Sequence, residues 1–194
     1  DGLRVTVRRS ELSAIDVAVP GDISGAAFWL VAGCIHPNAL IRLKGVGINP
    51  TRTGVLHVLQ AMNANVRLEN VREEGDEPVA DIVAESSSLE GAEISGDLIP
   101  RVIDELPALA LAASLARGKT VIRDARELRV KESDRIAATV DGLSRMGASI
   151  EEEHDGMVIR GVGKLTGAEC DSYGDHRIAM TLAIAGLVAQ GETV

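Results

Sequence analysis

The sequence predicts an α/β (α+β) chain built from a repeated βαβαββ unit. Three observations point there. First, "LEGAEISGD" (89–97) resembles "LTGAECDSYGD" (165–175). Second, downstream of each an acidic residue opens an apolar, Ala-rich run, "DELPALALAASLARGKTV" (104–121) and "DHRIAMTLAIAGLVAQGETV" (175–194), and both finish in Gly-x-Thr-Val. Third, short strand-like segments alternate with segments of helical period. Self-similarity at a fixed spacing is the signature of a stacked supersecondary unit.

The second copy is the clearest. "GAEIS" reads as a short strand. Residues 105 to 117 read as a helix, with Gly118 at the left-handed position that ends it. "KTVIRDA" is a second strand. A second helix is expected over 133 to 146, where Ile136, Val140, Leu143 and Met146 recur at helical spacing and Gly147 follows as a stop. "ASIEEE" and "MVIRG" then form a hairpin around His154-Asp155-Gly156. An earlier copy is looser: "GDISGAAFWLVAGCIHPNALIRL" (21–43) opens it, and "NVRLENV" and "VADIVAE" close it around Glu74-Gly75-Asp76. "QAMNANVRLE" (60–69) parallels "SRMGASIEEE" (144–153), and "LIRL" (40–43) parallels "VIRD" (121–124). The units run approximately 14–85, 86–161 and 162–194. The third stops at Val194 inside its second strand, and the chain opens at "DGLRVTV" without Met. The expectation is one incomplete domain of a longer protein, finished by the remainder of that protein.

Composition narrows the partners. Hydrophobic residues are 45% and charged residues 25%, the balance of a globular chain that can bury a core. Phe28, Trp29 and Tyr173 are the only aromatics, so Ala, Val, Ile, Leu and Gly must fill it. A net charge of −9 argues against nucleic acid, whose binding needs clustered cations and aromatic stacking platforms. No apolar run reaches the roughly 18 residues of a membrane span. Cys34 and Cys170 are far apart and form no CxxC pair, and His36, His57, His154 and His176 show no metal-ligand spacing. Two reduced thiols in a cytoplasmic protein are expected, without metal.

The helix starts carry the functional signal. Each copy puts an acidic residue there: Asp22, Asp104 and Asp175. Asp is a good N-cap, and for Asp22, with Ser24, that reading suffices, because copy one shows no basic cluster. His176 and Arg177, however, stand in the first turn after Asp175, where a cation opposes the helix dipole. Lys131 and Arg135 sit four apart near the next start, where like charges repel. Two starts with surplus positive charge suggest a bound anion. The competing reading is surface pairing with Glu132 and Asp134.

"IDELPALALAA", "RVKESDRIAA" and "YGDHRIAM", in that order, resemble the enolpyruvyl transferases; "VPGDISGAAFWLVA" (19–32) and "GVGINPTRTG" (45–54) also fit. Lys-Glu-Ser-Asp-Arg at 131–135 followed by Asp-His-Arg at 175–177 is the specific combination, and it favours the branch that acts on 3-phosphoshikimate. The resemblance covers essentially all of the chain. It implies two domains, each of three βαβαββ units about a pseudo-threefold axis, an inside-out α/β barrel whose helix starts face the interdomain cleft. This chain would be most of one domain. The other domain, a late phosphoenolpyruvate-binding Lys and an amino-terminal Lys-Ser-x-x-x-Arg region would lie outside it, and the chain alone would be inactive.

The implied reaction joins phosphoenolpyruvate to the 5-hydroxyl of 3-phosphoshikimate and releases phosphate, without cofactor, in a monomer. By resemblance, Asp104 accepts the hydroxyl proton, Lys131 contacts 3-phosphoshikimate and steadies Asp104, and Glu132 transfers a proton at C3. Arg135 and Arg177 hold phosphoenolpyruvate, His176 is an adjacent site residue, and Glu127 touches the phosphoshikimate. Asp134 and Asp175 cap helices or orient the arginines. Plainer readings stay open: Asp104 as a cap only, Glu132 as a partner of Arg135 only. So do transfer to UDP-N-acetylglucosamine and a non-catalytic anion-binding module.

Overall fold

The computed structural model describes residues 4–194. In chain order its elements are α1 (Ile23–Ile35), β1 (Leu40–Gly47), α2 (Gly54–Ala61), β2 (Asn65–Glu74), β3 (Glu77–Glu85), β4 (Glu93–Ile94), α3 (Leu106–Leu115), β5 (Lys119–Ile122), α4 (Arg135–Arg145), β6 (Ser149–Glu153), β7 (Gly156–Arg160) and α5 (His176–Gly186). Short 3-10 turns at Gly96–Arg101, Ile103–Glu105 and Arg126–Val130 lead into the helices and their charged residues. Residues 4–19 carry no helix or strand and are exposed.

The two sheets share one wiring. Their orders are β1-β3-β2 and β4-β5-β7-β6. In both, the strand after the first helix pairs antiparallel with the last strand of the hairpin. In the second, β4 adds parallel to β5, which completes βαβαββ. Copy one has only a parallel bridge in that place, Gly21 to Val46. Its hairpin turns through Gly75 and Asp76, both at positive φ, the geometry a two-residue connection requires.

The lettered repeat between copies two and three is a repeat of backbone contact. Glu90 bridges Arg117 and Thr166 bridges Gln190, both parallel. The Gly91 N–H donates to the Arg117 carbonyl and the Gly167 N–H to the Gln190 carbonyl, each at 2.8 Å. A Cβ on Gly91 would stand 2.2 Å from the Lys119 carbonyl oxygen, and one on Gly167 would stand 2.1 Å from that of Glu192. Glycine is required at both crossings because the strands touch there.

The core is a bundle of three helices, one per copy. α1, α3 and α5 pack on one another. Every residue of α3 from Leu106 to Ser114 is buried. Such a helix has no polar face, which explains its Ala-Leu composition. α4 lies outside and is amphipathic, burying Ile136 and Leu143. It approaches α5 closely, since a Cβ on Gly142 would lie 2.7 Å from the Leu182 side chain. At their starts the two helices are joined by Arg135 and Asp175, 2.7 Å apart.

Three expectations need correction. α3 stops at Leu115 with an extended Ala116 behind it, so Gly118, at φ 91, serves the turn into β5 and not the helix end. α4 starts at Arg135 and not at 133, although Gly147 does follow it at φ 86. Asp104 does not cap α3. It lies in the 3-10 turn Ile103–Glu105, and the cap position belongs to Glu105, which makes no side-chain cap bond.

Candidate active site

The helix starts of copies two and three converge on one buried guanidinium. Arg135, the first residue of α4, has a side chain 1% exposed. Its Nε donates to Asp175 Oδ2 at 2.7 Å, its Nη1 to Asp104 Oδ1 at 3.1 Å, and its Nη2 to Glu132. Each link is a charge-assisted hydrogen bond, the strong kind. Asp104 also lies 3.8 Å from Lys131 Nζ and 3.6 Å from Arg177 Nη2. Arg177 further donates from Nη1 to the Asp104 carbonyl at 3.2 Å. One carboxylate therefore faces three cations from two separate segments. The Asp104 side chain keeps 31% of its surface open to solvent.

Asp175 anchors the arrangement. Its side chain is fully buried. Oδ1 accepts the Arg177 N–H at 2.8 Å, which caps α5, and Oδ2 accepts from Arg135 and from Ser133 Oγ at 3.2 Å. Burial alone pushes this acid up. The Arg135 hydrogen bond, the Arg177 N–H, the Arg135 charge and the Ser133 hydroxyl outweigh it and hold Asp175 below the ordinary carboxylate range. Asp134 caps α4 through the Ala137 N–H at 3.1 Å. Capping and arginine orientation, expected of Asp134 and Asp175, are what both do.

The supposed surplus of positive charge is corrected by this geometry. Three cations, Lys131, Arg135 and Arg177, meet four carboxylates, Asp104, Glu127, Glu132 and Asp175. Lys131 is not stacked on Arg135, because it stands in extended backbone outside the helix. Its four-apart partner is Glu127, at 2.6 Å. The dipole penalty on Arg177 is offset by the Asp175 cap and by its side chain turning back to Asp104. His176 stays outside the cluster, its side chain 60% exposed and 4.0 Å from Asp175. Glu127 joins only through Lys131.

Sequence reasoning missed three participants. Arg129 ties the turn before α4 to the β6–β7 hairpin, donating to Asp134 Oδ2 at 2.8 Å, Glu152 Oε1 at 2.9 Å and the His154 carbonyl at 2.8 Å. Arg52 supplies the α1 start with the cation that copy one seemed to lack, donating to Ser24 Oγ at 2.8 Å. Glu105, beside Asp104, is 3% exposed. No local pattern announces the Arg52 contact, which spans 28 residues. The Asp104-Glu105 doublet before an apolar run was a usable signal, since such a run must bury one of the two.

A groove of about 630 Å³ lies on the far side of Ser133 and Asp134, lined by α4, Glu152 and Tyr173, and takes in none of the cations that face Asp104. Among the described residues no group of three His, Cys, Asp or Glu is placed to hold a metal ion, and no helix is long and apolar enough to cross a membrane. Cys34 and Cys170 are both free.

Residues 2–194 match the family model described as EPSP synthase (3-phosphoshikimate 1-carboxyvinyltransferase). The chain is 58% identical over 184 residues to the 3-phosphoshikimate 1-carboxyvinyltransferase of Citrifermentans bemidjiense, covering 95% of itself and 43% of that relative. Against the protein of the same name from a Roseiflexus species it is 58% identical over 182 residues, covering 94% and 42%. The solved EPSP synthase from Acinetobacter baumannii superposes with a TM-score of 0.87 at 47% identity, over 90% of this chain and 41% of that one. The enolpyruvyl transferase NikO from Streptomyces tendae shares the fold, with a TM-score of 0.71 at 22% identity, over 92% and 39%. The chain thus spans less than half the length of the relatives it matches.

Proposed function

The chain belongs to the EPSP synthase (3-phosphoshikimate 1-carboxyvinyltransferase) family, and from that premise we propose that it supplies one side of a cleft in which enolpyruvyl is transferred. The donor is phosphoenolpyruvate, the acceptor is the 5-hydroxyl of 3-phosphoshikimate, and phosphate is released, in the shikimate pathway to aromatic amino acids. The rest of the cleft belongs to a longer polypeptide, working as a cytoplasmic monomer. The supporting observation is Asp104, a partly open carboxylate with Arg135, Lys131 and Arg177 at 3.1, 3.8 and 3.6 Å.

In this reading Asp104 takes the proton of the 5-hydroxyl as its oxygen bonds to C2 of phosphoenolpyruvate. Glu132, whose side chain is 53% exposed, delivers a proton to C3 and completes a tetrahedral intermediate. Glu132, now a carboxylate, then takes a proton back from C3, which restores the double bond as the C2–O bond to phosphate breaks. Lys131 holds 3-phosphoshikimate against Asp104, and Glu127 borders it. Arg177 binds phosphoenolpyruvate. Arg135 stays on Asp175 and exchanges its exposed partner Glu132 for the incoming anion, so it anchors as well as binds. His176, at the rim, closes on the bound anion.

The test is phosphate release by the intact polypeptide with phosphoenolpyruvate and either 3-phosphoshikimate or UDP-N-acetylglucosamine. Turnover is expected with the first acceptor. Asp104→Ala is expected to lower kcat by about 10²–10⁴-fold, the contribution of a positioned base, with phosphoenolpyruvate binding largely kept. Turnover with UDP-N-acetylglucosamine alone, or an unchanged kcat in Asp104→Ala, would reject the reading.

A further inference from the structure

Asp104 and Glu105 are neighbours with opposite environments. Asp104 is partly open, whereas Glu105 is 3% exposed and its Oε1 has no hydrogen-bond partner. The 3-10 turn that carries both packs against α1. The neighbouring hydroxyl there is Ser24, in the first turn of α1: its Oγ accepts a hydrogen bond from Arg52, and its O–H is left to donate to the other Glu105 oxygen. The charged groups facing Glu105 are Arg177 from α5, Asp104 from its own turn and Arg52 from the loop before α2. An ionised carboxylate this deep, with one oxygen unpartnered, pays a large desolvation cost. The neutral acid pays far less.

We propose that Glu105 is a positioning residue of the active site: as a neutral acid between α1 and the turn carrying Asp104, it leaves Arg177 free to serve Asp104 and the substrate anion. The surroundings agree in direction. Burial pushes Glu105 up; Ser24, Arg177 and Arg52 pull it down, Asp104 pushes it up, and the balance is upward. Once ionised, Glu105 competes for Arg177, and phosphoenolpyruvate loses its partner.

The inference rests on enolpyruvyl transfer for its kinetic readout only. In the intact polypeptide, KM for phosphoenolpyruvate is measured against pH in wild type, Glu105→Ala and Glu105→Gln. Wild-type KM is expected to climb about tenfold per pH unit once Glu105 ionises. Glu105→Ala carries no charge and leaves a cavity beside the turn that holds Asp104, so it is expected to raise KM by a factor that does not change with pH. Glu105→Gln, of equal size and permanently neutral, is expected to rescue binding and to abolish the climb. A Glu105→Gln curve parallel to wild type overturns the proposal. Independently of activity or variant folding, the wild-type Glu105 carboxyl carbon is followed by NMR through a pH titration, assigned through the backbone. Titration above neutral pH supports the proposal, and titration below it overturns it. An enzyme without transfer activity but with an elevated Glu105 titration would fail the proposed function and leave this inference standing.

Discussion

Asp22 and Asp175 hold the same place in the repeat, one residue before a core helix, and both cap it. Asp22 accepts the N–H groups of Ser24 and Gly25 at 3.2 and 2.9 Å, and its side chain remains 67% exposed. The Asp175 side chain is fully buried and, besides the Arg177 N–H, takes two hydrogen bonds from Arg135 and one from Ser133. Arg52 reaches Asp22 only at 4.0 Å, from the surface. The difference teaches where the site came from. Capping is common to the repeat and needs only the local chain. The charged cluster needs a guanidinium carried in by a neighbouring unit: Arg135 of copy two reaches Asp175 of copy three, whereas Asp22 has only Arg52 of its own unit, at the surface.

The comparison breaks or holds on one substitution made twice, Asp→Asn at each position. The larger effect is expected at Asp175. Breaking a buried ion pair by removing one charge costs about 3–5 kcal/mol, because the partner is left buried and unbalanced. Arg135 retains Asp104 and Glu132, so Asp175→Asn is expected near the lower end, about 3 kcal/mol at pH 7 by denaturant unfolding. The pH dependence has a definite sign. The folded-state value of Asp175 is lowered, so its stabilisation is complete above the ordinary carboxylate range. It is lost as pH falls through that range toward the folded value. The gap between wild type and Asp175→Asn should therefore close in acid. A gap that stays constant from neutral pH down through the Asp175 titration would mean that packing, and not charge, holds Asp175.

Much of this was legible beforehand. The repeat could be read because Gly91 and Gly167 must stay glycine where strands cross, and that leaves a mark in the letters. The cap residues could be read because capping is local. Two charged segments could be picked out because their cations sit oddly for surface helices, and Asp104 through the family resemblance. What could not be read is how those charges pair. Arg135 meets Asp104 across 31 residues and Asp175 across 40, and Arg177 meets Asp104 across 73. No periodicity encodes such distances. Asp104 looked like a cap because Asp usually caps; here the chain enters α3 through a 3-10 turn, and Pro107 in the first turn has no N–H to be capped. Neutralisation by carboxylates was hidden for the same reason, since the acids that balance Arg135 come from three different elements.

The smaller effect, at Asp22, sharpens the contrast. An N-cap is worth about 1 kcal/mol against Ala, and Asn caps about as well as Asp. Asn keeps the side-chain oxygen that the Ser24 and Gly25 N–H groups need. What it removes is a charge paired only with an exposed Arg52, and pairs of that kind contribute about 0–1 kcal/mol. It also loses a favourable charge at the helix dipole, worth about 0.3–1 kcal/mol and weakened by solvent and salt. Asp22→Asn is therefore expected to cost under about 1 kcal/mol and Asp22→Ala about 1 kcal/mol. Equal costs for Asp→Asn at 22 and 175 would erase the distinction, for the two positions differ in burial and in their guanidinium partner, and Asn preserves everything else they share.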